Sequence, residues 1–336
     1  MSTLIVEVCK IDQILVHPNA DALELSQIKG WQCVVPKGKY TAGDLVTYIP
    51  IDAVISPEHS DRWGITKYLS NGRVRCARLR GEPSFGVIID REDASWAEGQ
   101  DVQEFYGITK YVPPVKINAG DAEAAHPLFV EYTDVENLRN FSDVLTEGEE
   151  VVVTEKLHGT NCRVALIEGE LMAGSMSVRR KRPENLADSI YWQPLALPGI
   201  QALLEHLGQT HRQVILFGEV FGSKIQSLNY GQVGTLGFCA FDLLADGKYW
   251  DAADFEAACA QFGVPTVPLL YRGPYSLATI KSLSEGKTTL DADHIREGVV
   301  VKPARERTDP KVGRVCLKYI GDPYLFAKGI TDSNDV

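Results

Sequence analysis

Lys156 closes the run Val151-Val152-Val153-Thr154-Glu155. Three residues later comes Gly159, which permits a tight turn, and then a second apolar run. This spacing holds an amine at a strand end, where a ligand can reach it. An unperturbed lysine amine has a pKa of ~10.4, so fewer than about one in a thousand are nucleophilic at neutral pH. Nearby cations or a metal ion must disfavour the protonated form before such an amine attacks an electrophile. Lys302 and Lys318 are the candidates for that field.

Alone, Lys-x-x-Gly carries little, because most such lysines are solvated. Other segments add charges to strands that otherwise read as buried, where they are costly unless paired or functional. Phe217-Gly218-Glu219-Val220-Phe221-Gly222 sets a carboxylate within an apolar strand. Phe238-Cys239-Ala240-Phe241-Asp242 carries an aspartate, and Glu297 to Lys302 places opposite charges at the two ends of one strand. Cys316-Leu317-Lys318-Tyr319 adds another lysine. Positive charge is concentrated at Arg179-Arg180-Lys181-Arg182 and at Arg73, Arg75, Arg78 and Arg80, and both groups are candidate phosphate contacts. In an extended strand Arg73 and Arg75 share one face, and Arg78 and Arg80 the other. His158 has no second His or Cys at metal-ligand spacing and reads as a hydrogen-bonding turn residue.

The elements that must position these groups fall into two sets. Up to Val112 the pattern is of short β-like runs: Leu4 to Val8, Ile14 to Val16, Leu45 to Ile51, Val74 to Leu79 and Phe85 to Ile89, separated by turn residues. Five short strands suggest a small barrel, an OB-like one among the candidates. Residues 113–126 read as a linker, extended at Pro113-Pro114. The remainder, 127–336, mixes strands and helices. Pro198 to Leu207 puts Ile200, Leu203, Leu204 and Leu207 on one helical face, between an entry proline and Gly208. Asp251 and Ser276 can cap two further helices that stop at Gly263 and Gly286. Strands are expected at Val151 to Thr154, Arg163 to Ile167, Val214 to Val220, Leu236 to Phe241, Gly298 to Val301 and Arg314 to Leu317. The fold class is therefore α+β.

The 336 residues suit two domains. With 34 Lys and Arg against 45 Asp and Glu, the net charge of −11 argues against a protein that grips nucleic acid through bulk positive charge. It leaves room for a local basic cleft. Residues 1–120 carry 13 cations and 15 anions, and residues 121–336 carry 21 and 30, so most of the excess acid lies in the larger part. The seven cysteines never stand closer than 20 residues, so zinc knuckles and CxxC redox sites are disfavoured and a reducing cytoplasm is expected. No apolar stretch reaches the ~20 residues of a membrane helix.

In this order the segments resemble the covalent nucleotidyltransferases, the superfamily of ATP-dependent ligases and RNA capping enzymes. Lys156 to Asn161 is similar to the nucleophile motif, and Glu219, Phe241-Asp242, Glu297 to Lys302 and Lys318 to the later motifs. His158 with Thr160-Asn161 is similar to the nick-sealing RNA ligases of phages. The strand-rich beginning and the segments Val74 to Gly86 and Tyr132 to Arg139 resemble the Deinococcus-type RNA ligase, in which a barrel-like domain precedes the transferase.

The resemblance implies an OB-like barrel followed by an adenylyltransferase domain of antiparallel, ATP-grasp-like sheets with helices. It implies ATP as co-substrate, Mg²⁺ or Mn²⁺, and an RNA or nicked RNA-containing duplex with 3′-hydroxyl and 5′-phosphate ends. Lys156 would be the nucleophile, with Lys302 and Lys318 on the phosphates. Glu155, Gly159, Asn161, Glu219 and Phe241 would hold the nucleotide, Glu297 the metal, and Arg179, Arg180, Arg78 and Arg80 the nucleic-acid phosphates. A capping guanylyltransferase or DNA ligase on the same scaffold, and a non-catalytic RNA-binding protein, stay as alternatives. Two positions depart from the pattern. Met176 stands where an arginine is usual, and Cys316 where the first of two lysines is usual.

Overall fold

The computed structural model describes residues 3–112, 119–223, 225–290 and 292–327. Its contacts divide the chain into two compact units, one ending at Pro114 and the other beginning at Val115. Residues 113–118 of the expected linker lie outside the described residues.

The first unit is built from short antiparallel strands. Leu45–Ile49 lies between Glu7–Lys10 and Val87–Asp90, and Gln13–Val16, Leu23–Ile28 and Trp31–Pro36 form a meander. The hairpin of Leu23–Ile28 with Trp31–Pro36 is absent from the expected strands. Its two-residue turn, Lys29-Gly30, has φ of 49° and 74°, as a type I′ turn requires. Trp31, Cys33 and Val35 alternate into the core. The run expected at Phe85 to Ile89 is split at Gly86, where φ is 119° and a Cβ would stand 2.7 Å from both the Ile49 carbonyl oxygen and the Tyr48 ring. Only a glycine allows that approach.

The second unit is built on two large sheets. One runs in the order Glu136–Asn137, Leu317–Ile320, Gly298–Pro303, Glu150–Lys156, Leu269–Pro274. Its single parallel pair is at the Glu136–Asn137 edge. The other is wholly antiparallel, in the order Arg179–Arg180, Glu170–Gly174, Thr160–Ile167, Gln213–Gly222, Leu236–Ala245, Lys248–Tyr249. On its outer face Val164, Leu216, Leu243 and their neighbours pack against helices Pro198–Leu207 and Ala252–Phe262. Its other face carries Phe217 and Ile215 with Phe129 and Tyr132.

The first helix follows its apolar periodicity, with Ile200, Leu203, Leu204 and Leu207 all buried. Ser276 caps Leu277–Ser284 as expected, accepting from the Thr279 amide at 3.1 Å. Asp251 does not cap Ala252–Phe262 with its side chain; the carboxylate accepts instead from the Glu306 amide at 2.7 Å. The strand expected at Arg314 to Leu317 is displaced. Gly313–Arg314 pairs locally with Thr308–Asp309, and the sheet strand is Leu317–Ile320. All seven cysteines are free and six are buried. Among the described residues no helix is long and apolar enough to cross a membrane.

Candidate active site

Glu150–Lys156 is a valine-rich strand flanked on both sides, so its middle is buried and its last residue opens onto the sheet's end. Antiparallel partners share a face, as do residues two apart. Lys156 lies opposite Gly298, Val152 opposite Lys302, and Val300 opposite Lys318. The register therefore gathers Lys156, Lys302 and Lys318 onto one face. Lys156 donates to Oε1 of the fully buried Glu297. Lys302 donates to Oδ1 of Asp242 at 2.6 Å and to the Phe241 carbonyl at 3.1 Å, and Lys318 is buried.

The second sheet supplies the opposing wall. Asn161 lies opposite Glu219, and Glu219 opposite Cys239. Between Phe217 and Gly218 the register shifts, with Gly218 facing Ala240 and Phe217 facing Asp242. Phe241 is therefore the extra residue of a β-bulge. Gly218 belongs to this device, because a Cβ there would strike the Phe238 ring and stand 2.7 Å from the Cys239 oxygen. Phe241 is half-buried, its ring 4.9 Å from that of Tyr132 in an edge contact.

Asp242 is the hub of a buried network that the sequence reading did not single out. It accepts from Lys302, from the Tyr132 hydroxyl and from Arg314 at 3.0 Å. Arg314 also grips Glu306 at 2.6 and 2.7 Å and lies 3.6 Å from the Tyr249 ring centroid. Burial pushes the Asp242 carboxyl up, but Lys302, Arg314 and the hydrogen bonds more than offset this and hold it below its ordinary value. Cys316 sits beside the network, its sulfur 3.6 Å from the Tyr132 hydroxyl, and burial pushes its thiol up. The usual lysine position thus holds a neutral group, while Arg314 supplies a cation to the same carboxylate.

His158 is a hydrogen-bonded turn residue. Its ring nitrogens meet the Tyr324 hydroxyl at 2.8 Å and the Ser227 hydroxyl at 3.1 Å, and its amide donates to the Tyr230 oxygen at 2.7 Å. Gly159 matters for a reason other than turn geometry, since its φ is not positive. A Cβ there would fall on the Val220 carbonyl oxygen and stand 2.8 Å from Cγ of Glu219. Gly159→Ala is expected to push the loop after Lys156 off the Glu219 strand and lower any activity that uses Lys156 at least tenfold. A variant with wild-type kinetics would remove that close approach from the account.

Other expected residues lie apart. Glu155 alternates to the opposite face, where Thr289 donates to it from the amide at 2.9 Å and the hydroxyl at 2.8 Å. Arg73 is buried against Asp52 at 2.6 Å and stacks over Tyr111. Arg78 and Arg80 are exposed, but Arg80 sits in the turn of a hairpin with φ of 52°, so face alternation does not extend across the four arginines. Arg179 pairs with Glu123 and Glu170, and Arg180 with Asp121. Among the described residues no three His, Cys, Asp or Glu cluster as a metal cage.

One wall thus carries Lys156, Lys302 and Lys318, and the other Asn161, Glu219 and Asp242. Residues 149–320, half of the sequence, match the RNA ligase family, and the chain belongs to that family. Residues 5–90 match an OB-fold domain. The structure is similar to that of the Naegleria gruberi RNA ligase with PPi, at 26% identity and a TM-score of 0.78 over 96% of this chain and 98% of that one. Variants of that ligase with ATP and Mn (25% identity) and with AMP and Mn (26%) give the same TM-score and coverage. No curated protein matches the chain by sequence.

Proposed function

We propose that the chain is an ATP-dependent RNA ligase that joins a 3′-hydroxyl to a 5′-phosphate through a lysyl-AMP intermediate, acting on nicks with RNA on the 3′-hydroxyl side. The observation that carries this reading is the gathering of Lys156, Lys302 and Lys318 on one sheet face opposite Glu219 and Asp242. Lys156 attacks the α-phosphorus of ATP, forming a phosphoramidate and releasing pyrophosphate. AMP passes to the 5′-phosphate end, and the 3′-hydroxyl displaces it. These phosphoryl transfers rest on positioning and charge neutralisation, which Lys302 and Lys318 provide from the same face as the nucleophile. Phe241 stacks on the adenine, and Asn161, Gly159 and Glu219 bound the nucleotide.

The carboxylate oxygens of Glu297 and Glu219 are hard donors suited to Mg²⁺ or Mn²⁺. These two carboxylates would hold such an ion together with the substrate phosphates. When bound, such an ion neutralises developing charge on the phosphate oxygens. The domains fall at 1–112 and 127–336, joined by residues 113–126, with the first supporting nucleic-acid binding through Arg78 and Arg80. The seven free thiols support a reducing, cytoplasmic setting.

The test is incubation with α-labelled ATP, GTP or NAD and Mg²⁺ or Mn²⁺, followed by denaturation. Label retained from ATP alone is expected. Retention from GTP alone would make the chain a capping guanylyltransferase, and no retention would leave an RNA-binding protein on a ligase scaffold. Nicked duplexes differing only in the 3′-terminal sugars then separate RNA from DNA sealing, because the 2′-hydroxyl is the distinguishing group.

A further inference from the structure

The Arg179–Arg180 strand is the edge of the six-stranded sheet, and a short segment of the same chain lies along it. The Glu123 amide donates to the Arg179 carbonyl at 3.0 Å and the Lys181 amide to the Asp121 carbonyl at 2.8 Å, with Ala122 bridged to Arg180. Asp121 ends the 3-10 turn Ala119–Asp121, and Glu123 lies just past the single bridge at Ala122. Asp121 lies on Arg180 at 2.6 Å, and Glu123 on Arg179 at 3.1 Å.

The fit is incomplete. Both arginine side chains are nearly buried, at 14% and 12% exposure, yet among the described residues the Nε–H groups of both find no hydrogen-bond acceptor. Glu123 stands near Arg179 Nε without the alignment of a hydrogen bond. A guanidinium presents a planar fork that phosphate oxygens satisfy in pairs. The acids that hold it here are exposed at 49% and 39%, and such ion pairs are screened and weak.

We propose that residues 119–123 are an internal stand-in for an RNA backbone: Asp121 and Glu123 occupy on Arg180 and Arg179 the places of phosphates, and RNA displaces the segment. This rests on the reading of the chain as an RNA ligase. Free enzyme keeps its basic edge neutralised, and RNA phosphates exchange for the acids. The covered edge accords with a net charge of −11, since nonspecific polyanions meet carboxylates first.

The test compares a fluorescent nicked RNA duplex binding to full-length wild type, to Asp121→Asn/Glu123→Gln, and to Glu256→Gln/Asp143→Asn. The last removes two acids from surface pairs elsewhere, with Arg272 and Lys311. The strap variant is expected to bind roughly fivefold or more tightly at low salt, with self-adenylylation unchanged. The control is expected to gain much less. Adding the strap changes to Arg179→Ala/Arg180→Ala is expected to give no gain. Equal gains in strap and control variants, or a gain that survives loss of the arginines, would overturn the stand-in role. So would absence of RNA binding by every variant. Self-adenylylation in the same preparations reports separately on the enzyme reading.

Discussion

Lys156→Arg is expected to retain no covalent label from ATP, a loss of at least ~10³-fold, while melting close to the wild type. Removing a nucleophile removes the covalent route altogether. Neither neighbouring lysine can substitute. Lys302 is committed to Asp242 and the Phe241 carbonyl, and Lys318 projects from a strand beyond the one that borders Lys156. Arginine is chosen because it keeps a cation opposite the fully buried Glu297 yet is not deprotonated in proteins. Lys156→Ala is expected to lose the label equally but also to destabilise the fold, because it leaves that carboxylate without its cation. Substantial labelling of Lys156→Arg would move the nucleophile elsewhere.

Asp242→Ala is expected to cost about 3–5 kcal/mol of stability, the range for breaking one partner out of a buried ion pair. For a unit of this size that is a fall in melting temperature of roughly 6–20 °C. The residue joins two cations that came into the interior with it, and its loss would leave Arg314 with Glu306 and Lys302 with the Phe241 carbonyl. Acid titration gives the matching sign. The native carboxyl lies below its ordinary value despite burial, so its contribution is complete above the unfolded value of ~3.9. It is lost as pH falls from there through the native value. The stability gap between wild type and Asp242→Ala should therefore narrow below about pH 4. An equal gap at pH 7 and pH 3 would mean that the carboxylate's charge is not what holds the network.

The lysine face was legible because each lysine ended or followed an apolar run, and the family resemblance assembled runs more than a hundred residues apart. The Pro198–Leu207 helix was legible from spacing alone. The Lys29-Gly30 hairpin was missed because its turn lacks the Asn-Gly or Asp-Gly pair that signals such a loop, although Trp31-Gln32-Cys33-Val34-Val35 alternates as a strand should. The last sheet strand was displaced because Val315 to Ile320 is apolar apart from Lys318, and an apolar run has no internal mark for its starting residue. Asp242 and Lys302 stood out as charges in apolar strands, but their pairing was not legible, since Tyr132, Lys302 and Arg314 lie 60 to 110 residues from Asp242. The opposite facing of Glu155 follows from simple alternation with Lys156 and could have been read at the outset.

The bulge at Phe241 works as a phase shift within a single strand. Before it, odd-numbered residues such as Cys239 stand level with Glu219; after it, even-numbered residues such as Asp242 and Leu244 stand level with Phe217 and Ile215. The two halves of Leu236–Ala245 are thus written in different reading frames, and the extra residue keeps both in step with the same neighbour. Removing a residue of this strand other than Phe241 would exchange inward and outward side chains over part of its length. Length is therefore as strictly specified here as chemistry, and indels among active relatives of this chain should collect in the Asp246-Gly247 turn rather than in the strand before it.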